Sequence, residues 1–381
     1  TLHHTTNQTM AECAKKSASY TCTAPVNIAV IKYWGKRDTK LILPTNSSLS
    51  GTLHQDDLRS QTTVQAFQDL EEDEFVLNGK KEVVTGRMQS CFRLVREAAA
   101  NMEGESFAPK DKLDTYRVRV VSENNFPTAA GLASSASGLC CLVFALAKLY
   151  NLPDDRVMLS TIARQGSGSA CRSMYGGFSK WMKGTEDNGS DSVALPVVDE
   201  NHWKEMRVLI LVANDQKKAV GSTEGMQKSL EGVAGEKLKR RADITVPRRM
   251  QKIEKAIHER DFDTFARISM KDSDDFHDVC RVTEPPLHYM NDTSRLIVRM
   301  VNAINQEQAK RRCGYTFDAG PNGVLYLLAD HLPLFLSATL FCFPNLEKKD
   351  DFVRNAEGVL GKESVLLEGG EGKEEEMVKE F

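Results

Sequence analysis

The stretch Asn124-Asn-Phe-Pro-Thr-Ala-Ala-Gly131-Leu-Ala-Ser134-Ser135-Ala-Ser-Gly138 is the point from which this chain is best read. A loop opened by Asn-Asn-Phe-Pro gives way to glycine, alanine and serine, and these run straight into an apolar helix pattern ending at Tyr150. Small residues let backbone approach a ligand closely. The free N–H groups and the positive dipole end of the following helix favour an anion. Ser134 and Ser135 carry hydroxyls that suit phosphate oxygens or a metal ion. A tightly packed helix with serine caps is the competing reading, and the stretch alone does not separate the two.

Upstream the pattern is strand-rich. Thr21–Lys32 reads as one strand, and Ser47–Leu53 and Thr62–Phe67 as two more. Phe75–Leu77 and Glu82–Val84 flank Asn78-Gly79, a hairpin signal because Asn-Gly supplies two positive-φ residues. Arg87–Met102 has helical spacing and Tyr116–Val121 is strand-like. Downstream, Gly131–Tyr150 and Val157–Arg164 read as helices, and Met206–Val212 as a buried strand. From Thr223 to Ala309 the pattern is mostly helical, with Pro247, Pro285 and Pro286 as breaks. Tyr315–Phe317 and Val324–Leu328 flank the turn Asp318-Ala-Gly-Pro-Asn-Gly323. The sum is α+β, with a boundary expected near residue 200.

The chain has 381 residues, a length that suggests two domains. Lys and Arg number 50 against 53 Asp and Glu, so no overall positive field draws it to nucleic acid or an anionic membrane. The longest apolar run, Leu139–Ala147, is far shorter than the roughly 20 residues that span a bilayer. Nine scattered cysteines without Cys-x-x-Cys spacing make a poor disulfide framework and a poor zinc site, so a reducing compartment is expected. The expected location is cytoplasmic or organellar. Residues 1–20 read as a disordered extension or tag, with Met10 as a natural start. Residues 21–200 and 201–350 are the two expected domains, and 351–381 a solvated Glu-rich tail.

The common nucleotide and hydrolase motifs fail. No Gly-Lys pair is followed by Ser or Thr, and Gly166-Ser-Gly168 lacks the third glycine of a dinucleotide fingerprint. His-Glu-x-x-His and Gly-x-Ser-x-Gly are absent. Three other elements remain. Gly166-Ser167-Gly168-Ser169-Ala170-Cys171-Arg172-Ser173 suits an oxyanion, or else is a surface turn with a solvated Arg. Lys32-Tyr33-Trp34-Gly35-Lys36-Arg37-Asp38 places three cations after the first strand. Asp318 opens its turn and reads either as a turn residue or as a base or metal ligand at a strand end.

These elements, in this order, resemble the diphosphomevalonate decarboxylase family of the GHMP kinase superfamily. The resemblance also covers Ala24–Ile31, Leu43–Ser48, Gly221–Met226, Tyr289–Thr293 and Tyr315–Asn322, and runs from about Thr21 to Leu328. Related small-molecule kinases carry Gly-Glu where Gly35-Lys36 stands. Ser137 and Gly323 depart mildly from the family's usual Ala.

The resemblance implies a two-domain α+β fold with a ribosomal-S5-like N-terminal domain and a ferredoxin-like C-terminal domain. It implies ATP-dependent decarboxylation of mevalonate 5-diphosphate to isopentenyl diphosphate, with ADP, phosphate and CO2 released. Asp318 matches the catalytic aspartate, with Lys32 keeping it ionised and Asn27 and Arg172 holding the substrate carboxylate. Tyr33, Trp34, Gly35, Lys36, Arg87, Ser167, Gly168, Ser169, Ala170, Cys171, Arg172 and Thr223 match substrate-binding positions. Pro127, Ala130, Gly131, Ala133, Ser134 and Ser135 match the ATP-phosphate loop, with Ser135 near Mg2+. The implied partners are the substrate and ATP, with a homodimer and neither nucleic acid nor membrane. The alternatives are a kinase that stops at 3-phosphorylation and a non-enzymatic binding protein.

Overall fold

The computed structural model describes residues 4–5, 18–103, 106–126, 134–213 and 220–343. The first strands are β1 (His4–Thr5), β2 (Ser19–Pro25), β3 (Asn27–Ile31), β4 (Lys36–Asp38), β5 (Leu43–Pro44) and β6 (Ser48–Thr52). Then come β7 (Arg59–Phe67), β8 (Glu74–Leu77), β9 (Lys80–Glu82), α1 (Gly86–Asn101) and β10 (Arg117–Asn124). Helices α2 (Ser134–Leu149) and α3 (Arg156–Gly166) precede β11 (Phe178–Trp181), β12 (Ala194–Val198) and β13 (Met206–Leu211). The rest is helical but for two strands: α4 (Ser222–Lys228), α5 (Gly232–Arg240), α6 (Val246–Glu259), α7 (Phe262–Arg281), α8 (Asp292–Gln306), β14 (Cys313–Phe317), β15 (Gly323–Leu328) and α9 (Leu332–Cys342).

Three main sheets organise these elements. The first has the order β1-β2-β7-β10-β8-β9, the second β12-β11-β6-β3 and the third β13-β15-β14. Residues 21–32, read above as one strand, form two strands in different sheets. β2 pairs with β7, and β3 pairs with β6. The switch falls at Pro25-Val26, because Pro has no N–H to continue the first ladder. Asn78 and Gly79 take φ of 48° and 76° and close a hairpin there, with Lys80–Glu82 as its second arm in place of the expected Glu82–Val84. Pro247, expected to break the helical run, sits in the first turn of α6 without ending the run. The helix passes from α5 into α6 through a single π-turn, Arg241–Thr245.

Helix α2 buries nearly all of its length, as an all-round apolar helix must. It packs with α1 and α3 against the first sheet. A second core spans the chain: Val26, Ile28 and Ile31 meet Ile253, Phe265 and Tyr326. This shared core brings β3 and the third sheet together. The Tyr326 hydroxyl donates to the carbonyl of Ile28 at 2.9 Å, and Thr316 Oγ1 donates to that of Ala29 at 3.2 Å. No described helix is long and apolar enough to cross a membrane.

Candidate active site

Strand β3 ends at Ile31 and delivers Lys32 to the seam between the two halves of the chain. The Lys32 side chain is 3% exposed, and its Nζ donates to Asp318 Oδ1 at 2.5 Å. Asp318 follows β14, where Phe317 pairs with Gly323 and leaves residues 318–322 as the connecting turn. Its carbonyl accepts from the N–H of Gly320 at 2.7 Å, so it serves the turn as well. Lys32 is also held through its backbone: its N–H donates to Asp272 Oδ2 at 2.7 Å, and its carbonyl accepts from Asn46 Nδ2 at 2.9 Å. Burial drives the Lys32 ammonium below its usual pKa, and Asp318 opposes that fall.

Arg172 is fully enclosed beside this pair. Its Nε donates to Ser50 Oγ at 2.9 Å and to Asn27 Oδ1 at 3.3 Å, and its Nη1 to Ser48 Oγ at 2.6 Å. Asn27 Nδ2 donates in turn to Ser173 Oγ at 2.8 Å and to the carbonyl of Ser169 at 3.1 Å. These acceptors are neutral. Burial lowers the Arg172 pKa, and Asp318 is among the groups that counter it. A buried guanidinium among hydroxyls and an amide is poised for an arriving anion.

The stretch Gly166–Ser173, which the sequence left open between an oxyanion loop and a surface turn, is buried and forms a tight 3-10 helix, Gly168–Met174. Ser167 is 8% exposed and its carbonyl accepts from the N–H of Ala170 at 2.8 Å. Gly168 is needed for space: a Cβ there would lie 2.8 Å from the rings of Tyr33 and Trp181. Those rings meet edge-on at 4.7 Å. The Tyr33 hydroxyl is buried with no hydrogen-bond partner among the described residues. Burial raises its pKa, and Arg87 and Arg172 both pull it back. Cys171 donates to the carbonyl of Gly168 at 3.0 Å, and burial pushes its thiol up to about 12, so it stays protonated.

Gly35 takes φ +83°, a conformation side chains rarely adopt, and turns the chain so that Lys36 follows. Lys36 is 8% exposed, and burial followed by Arg87 lowers its pKa to about 8. Arg87 sits in the first turn of α1 and its Nη2 donates to Thr223 Oγ1 on α4 at 3.2 Å. Trp34 is 2% exposed and donates from Nε1 to Ser229 Oγ at 2.9 Å. Its ring packs on Phe276 and Tyr289, so it anchors this loop to the second half. Of the phosphate loop, Pro127, Ala130, Gly131 and Ala133 lie outside the described residues. Ser134 and Ser135 open α2, the first half-buried and the second exposed.

The family description for the N-terminal domain of diphosphomevalonate decarboxylase-like proteins matches residues 24–194. That for the mevalonate 5-diphosphate decarboxylase C-terminal domain matches residues 208–379, through the Glu-rich stretch. The chain belongs to the diphosphomevalonate decarboxylase family. It is 49% identical over 349 residues to the diphosphomevalonate decarboxylase of Bos taurus, covering 91% of this chain and 85% of that one. A crystal structure of a mevalonate 5-diphosphate decarboxylase at 2.3 Å resolution matches with a TM-score of 0.80 and 45% identity, over 90% of this chain and 87% of that one. MDDEF in complex with MVAPP, AMPPCP and magnesium matches with a TM-score of 0.74 and 31% identity, over 87% and 95%. The expected GHMP-kinase fold, α+β in two domains, is therefore the fold of this decarboxylase-family chain.

Around this decarboxylase-family site, sequence reasoning missed Asp272. Its carboxylate is fully buried and accepts from Arg241 Nη2 at 2.5 Å and Arg249 Nη1 at 2.8 Å. Nothing in Lys271-Asp-Ser-Asp-Asp275 marks the one acid that turns inward except its place on the apolar face of α7. Ser50 was missed as well, two strand residues beyond the Leu43–Ser48 block.

Proposed function

We propose that this chain catalyses the ATP-dependent decarboxylation of mevalonate 5-diphosphate, with Asp318 taking the proton of the 3-hydroxyl. The observation that carries the assignment of roles is the Lys32–Asp318 pair at 2.5 Å, with Asp318 39% exposed and Lys32 sealed beneath it. Asp318 is thus open to a substrate hydroxyl while its charge is held in place. The substrate carries a diphosphate and a carboxylate. Lys36, Arg87 and the hydroxyls of Ser167 and Ser169 supply the donors for the first, and Arg172 with Asn27 for the second.

The reaction balances as follows. The 3-hydroxyl loses its proton to Asp318, and its oxygen takes the γ-phosphoryl of ATP, leaving ADP. Phosphate then departs from carbon 3 with its bonding pair. The carboxylate carbon leaves as CO2, and the electron pair of its bond forms the alkene of isopentenyl diphosphate. Lys32 offsets negative charge on the phosphoryl as it transfers. Arg172 holds the carboxylate until it leaves.

The first turn of α2 and the small-residue loop before it would hold the ATP phosphates. Among the described residues no group of three His, Cys, Asp or Glu is placed to hold a metal. The oxygen of Ser135 is the donor type that Mg2+ takes, so the residues fit an ion held chiefly by ATP, where it neutralises phosphate charge.

The two family descriptions meet between residues 194 and 208, which supports a domain boundary near residue 200. The described cysteines are free, which supports a reducing compartment such as the cytoplasm. The homodimer implied by the family belongs to this proposal too.

The test is product analysis with ATP and mevalonate 5-diphosphate. The expected result is ADP, phosphate, CO2 and isopentenyl diphosphate in equal amounts. ADP with a phosphorylated substrate and no CO2 would instead make the chain a kinase.

A further inference from the structure

Beside Asp272 the fold forms a second concave space, open to solvent. A cavity of about 520 Å3 lies between α5, the π-turn, α6 and α7. Eight Lys and Arg side chains line it against two carboxylates, Asp275 and Asp278. Both acids are already engaged, Asp275 by Arg249 and Asp278 by Arg281. Arg241 and Arg249 are committed to Asp272. The remaining lining cations include Lys237, Arg240, Arg248, Lys252 and Lys271, and none of these five forms an ion pair among the described residues. Like charges gathered in one concave space repel unless an anion joins them.

A second observation points the same way. Arg241 lines this cavity with its side chain 3% exposed, and its Nε has no hydrogen-bond partner among the described residues. A buried donor without a partner costs roughly 1–3 kcal/mol.

We propose that this cavity is an anion site for a small molecule bearing two or more phosphoryl groups, separate from the pocket at Lys32 and Asp318. The volume falls in the range of small-ligand pockets, roughly 300–1,000 Å3. Five unmatched cations call for more than one negative charge. Arginine forks suit phosphate oxygens in pairs. The chain as a whole has 50 basic against 53 acidic residues, so it lacks the broad positive field that nucleic acid requires. The site also touches the catalytic machinery. Arg241 and Arg249 hold Asp272, which accepts the Lys32 N–H at 2.7 Å, so an occupant lies one ion pair away from Lys32.

The experiment is calorimetric titration of the full chain with sodium tripolyphosphate. The wild type is expected to show two sites, one in the active pocket and one in the cavity. Arg248→Glu with Lys252→Glu changes two exposed lining residues outside the Asp272 cluster. That variant is expected to lose one site, or at least tenfold in its affinity, while turnover at low phosphate stays within about twofold. Lys204→Glu with Lys255→Glu makes the same charge change elsewhere and is expected to keep both sites. Lys237→Gln with Lys271→Gln serves as a milder second variant and is expected to weaken the same site. A single wild-type site, unchanged in the cavity variants, would overturn the proposal. So would equal loss in the Lys204 and Lys255 control.

Discussion

Two carboxylates hydrogen-bond Lys32, one at each end. Asp272 accepts from its backbone N–H at 2.7 Å, and Asp318 from its ammonium at 2.5 Å. Asp272 is fully buried and gripped by two guanidinium groups. Asp318 is 39% exposed and forms an ion pair with the Lys32 ammonium. The same chemical group is thus used twice in one neighbourhood. Where a buried carboxylate accepts from two guanidinium groups and a backbone N–H, it holds backbone in place. Where one oxygen meets a buried ammonium and the side chain reaches the surface of the pocket, the carboxylate is available for proton transfer. The exposure separates the two roles.

The largest way to break that contrast is Asp272→Asn. Removing its charge leaves Arg241 buried without a carboxylate partner and Arg249 with Asp275 alone, a loss of about 3–5 kcal/mol. The expected outcome is a fall in thermal stability large enough to see in any melt. The wild type carries a matching pH signature. Burial pushes the Asp272 pKa up, but Arg241, Arg249 and the Lys32 N–H outweigh it and hold it below the usual value. Its folded pKa is depressed, so its stabilisation is present above the unfolded carboxylate range and is lost as pH falls through the folded pKa. Asp272→Asn should flatten that acid limb of the stability curve.

Next in size is Gly168→Ala. The added methyl would press the rings of Tyr33 and Trp181, and overpacking of this kind costs roughly 1–3 kcal/mol. The expected readout is a weaker KM for mevalonate 5-diphosphate, because Tyr33 and the Ser167–Arg172 segment move together. An unchanged KM would show that this contact does not shape the pocket.

The smallest effect is a pH limb. Lys36 is lowered to about 8, first by burial and then by Arg87. As pH rises through that value the free enzyme loses one cation from the proposed diphosphate site. kcat/KM should therefore fall above pH 8, and Lys36→Arg should remove that fall. Because the folded pKa lies below the unfolded one, the same group destabilises the fold at lower pH and ceases to do so as pH rises. Binding weakens while stability grows, and the two curves can be measured on one sample.

Much of this site was legible as residues and little of it as pairs. Lys32, Asp318, Asn27 and Arg172 stand in recognisable blocks, but 286 positions separate the first two, and no local pattern joins them. The α+β class and most element positions followed from periodicity and from Asn78-Gly79. The strand switch at Pro25-Val26 did not, because an apolar run reads the same whether one sheet or two receives it. Asp272 was hidden for a related reason: three acids in five residues look like a solvated face until the helix is packed. The two small-residue stretches differ as well. Gly166–Ser173 took a buried, single geometry, whereas residues 127–133 lie outside the description.

The division of labour between the two aspartates is tested most directly by Asp318→Asn, measured in steady-state turnover and in a thermal melt on the same preparation. The predicted result is a kcat lower by roughly 10²–10⁴-fold, with KM for mevalonate 5-diphosphate little changed and the melt lowered by less than in Asp272→Asn, because the buried Lys32 ammonium can shed its proton and a guanidinium cannot. A large rise in KM with kcat nearly intact, or a loss of stability like that of Asp272→Asn, would contradict it.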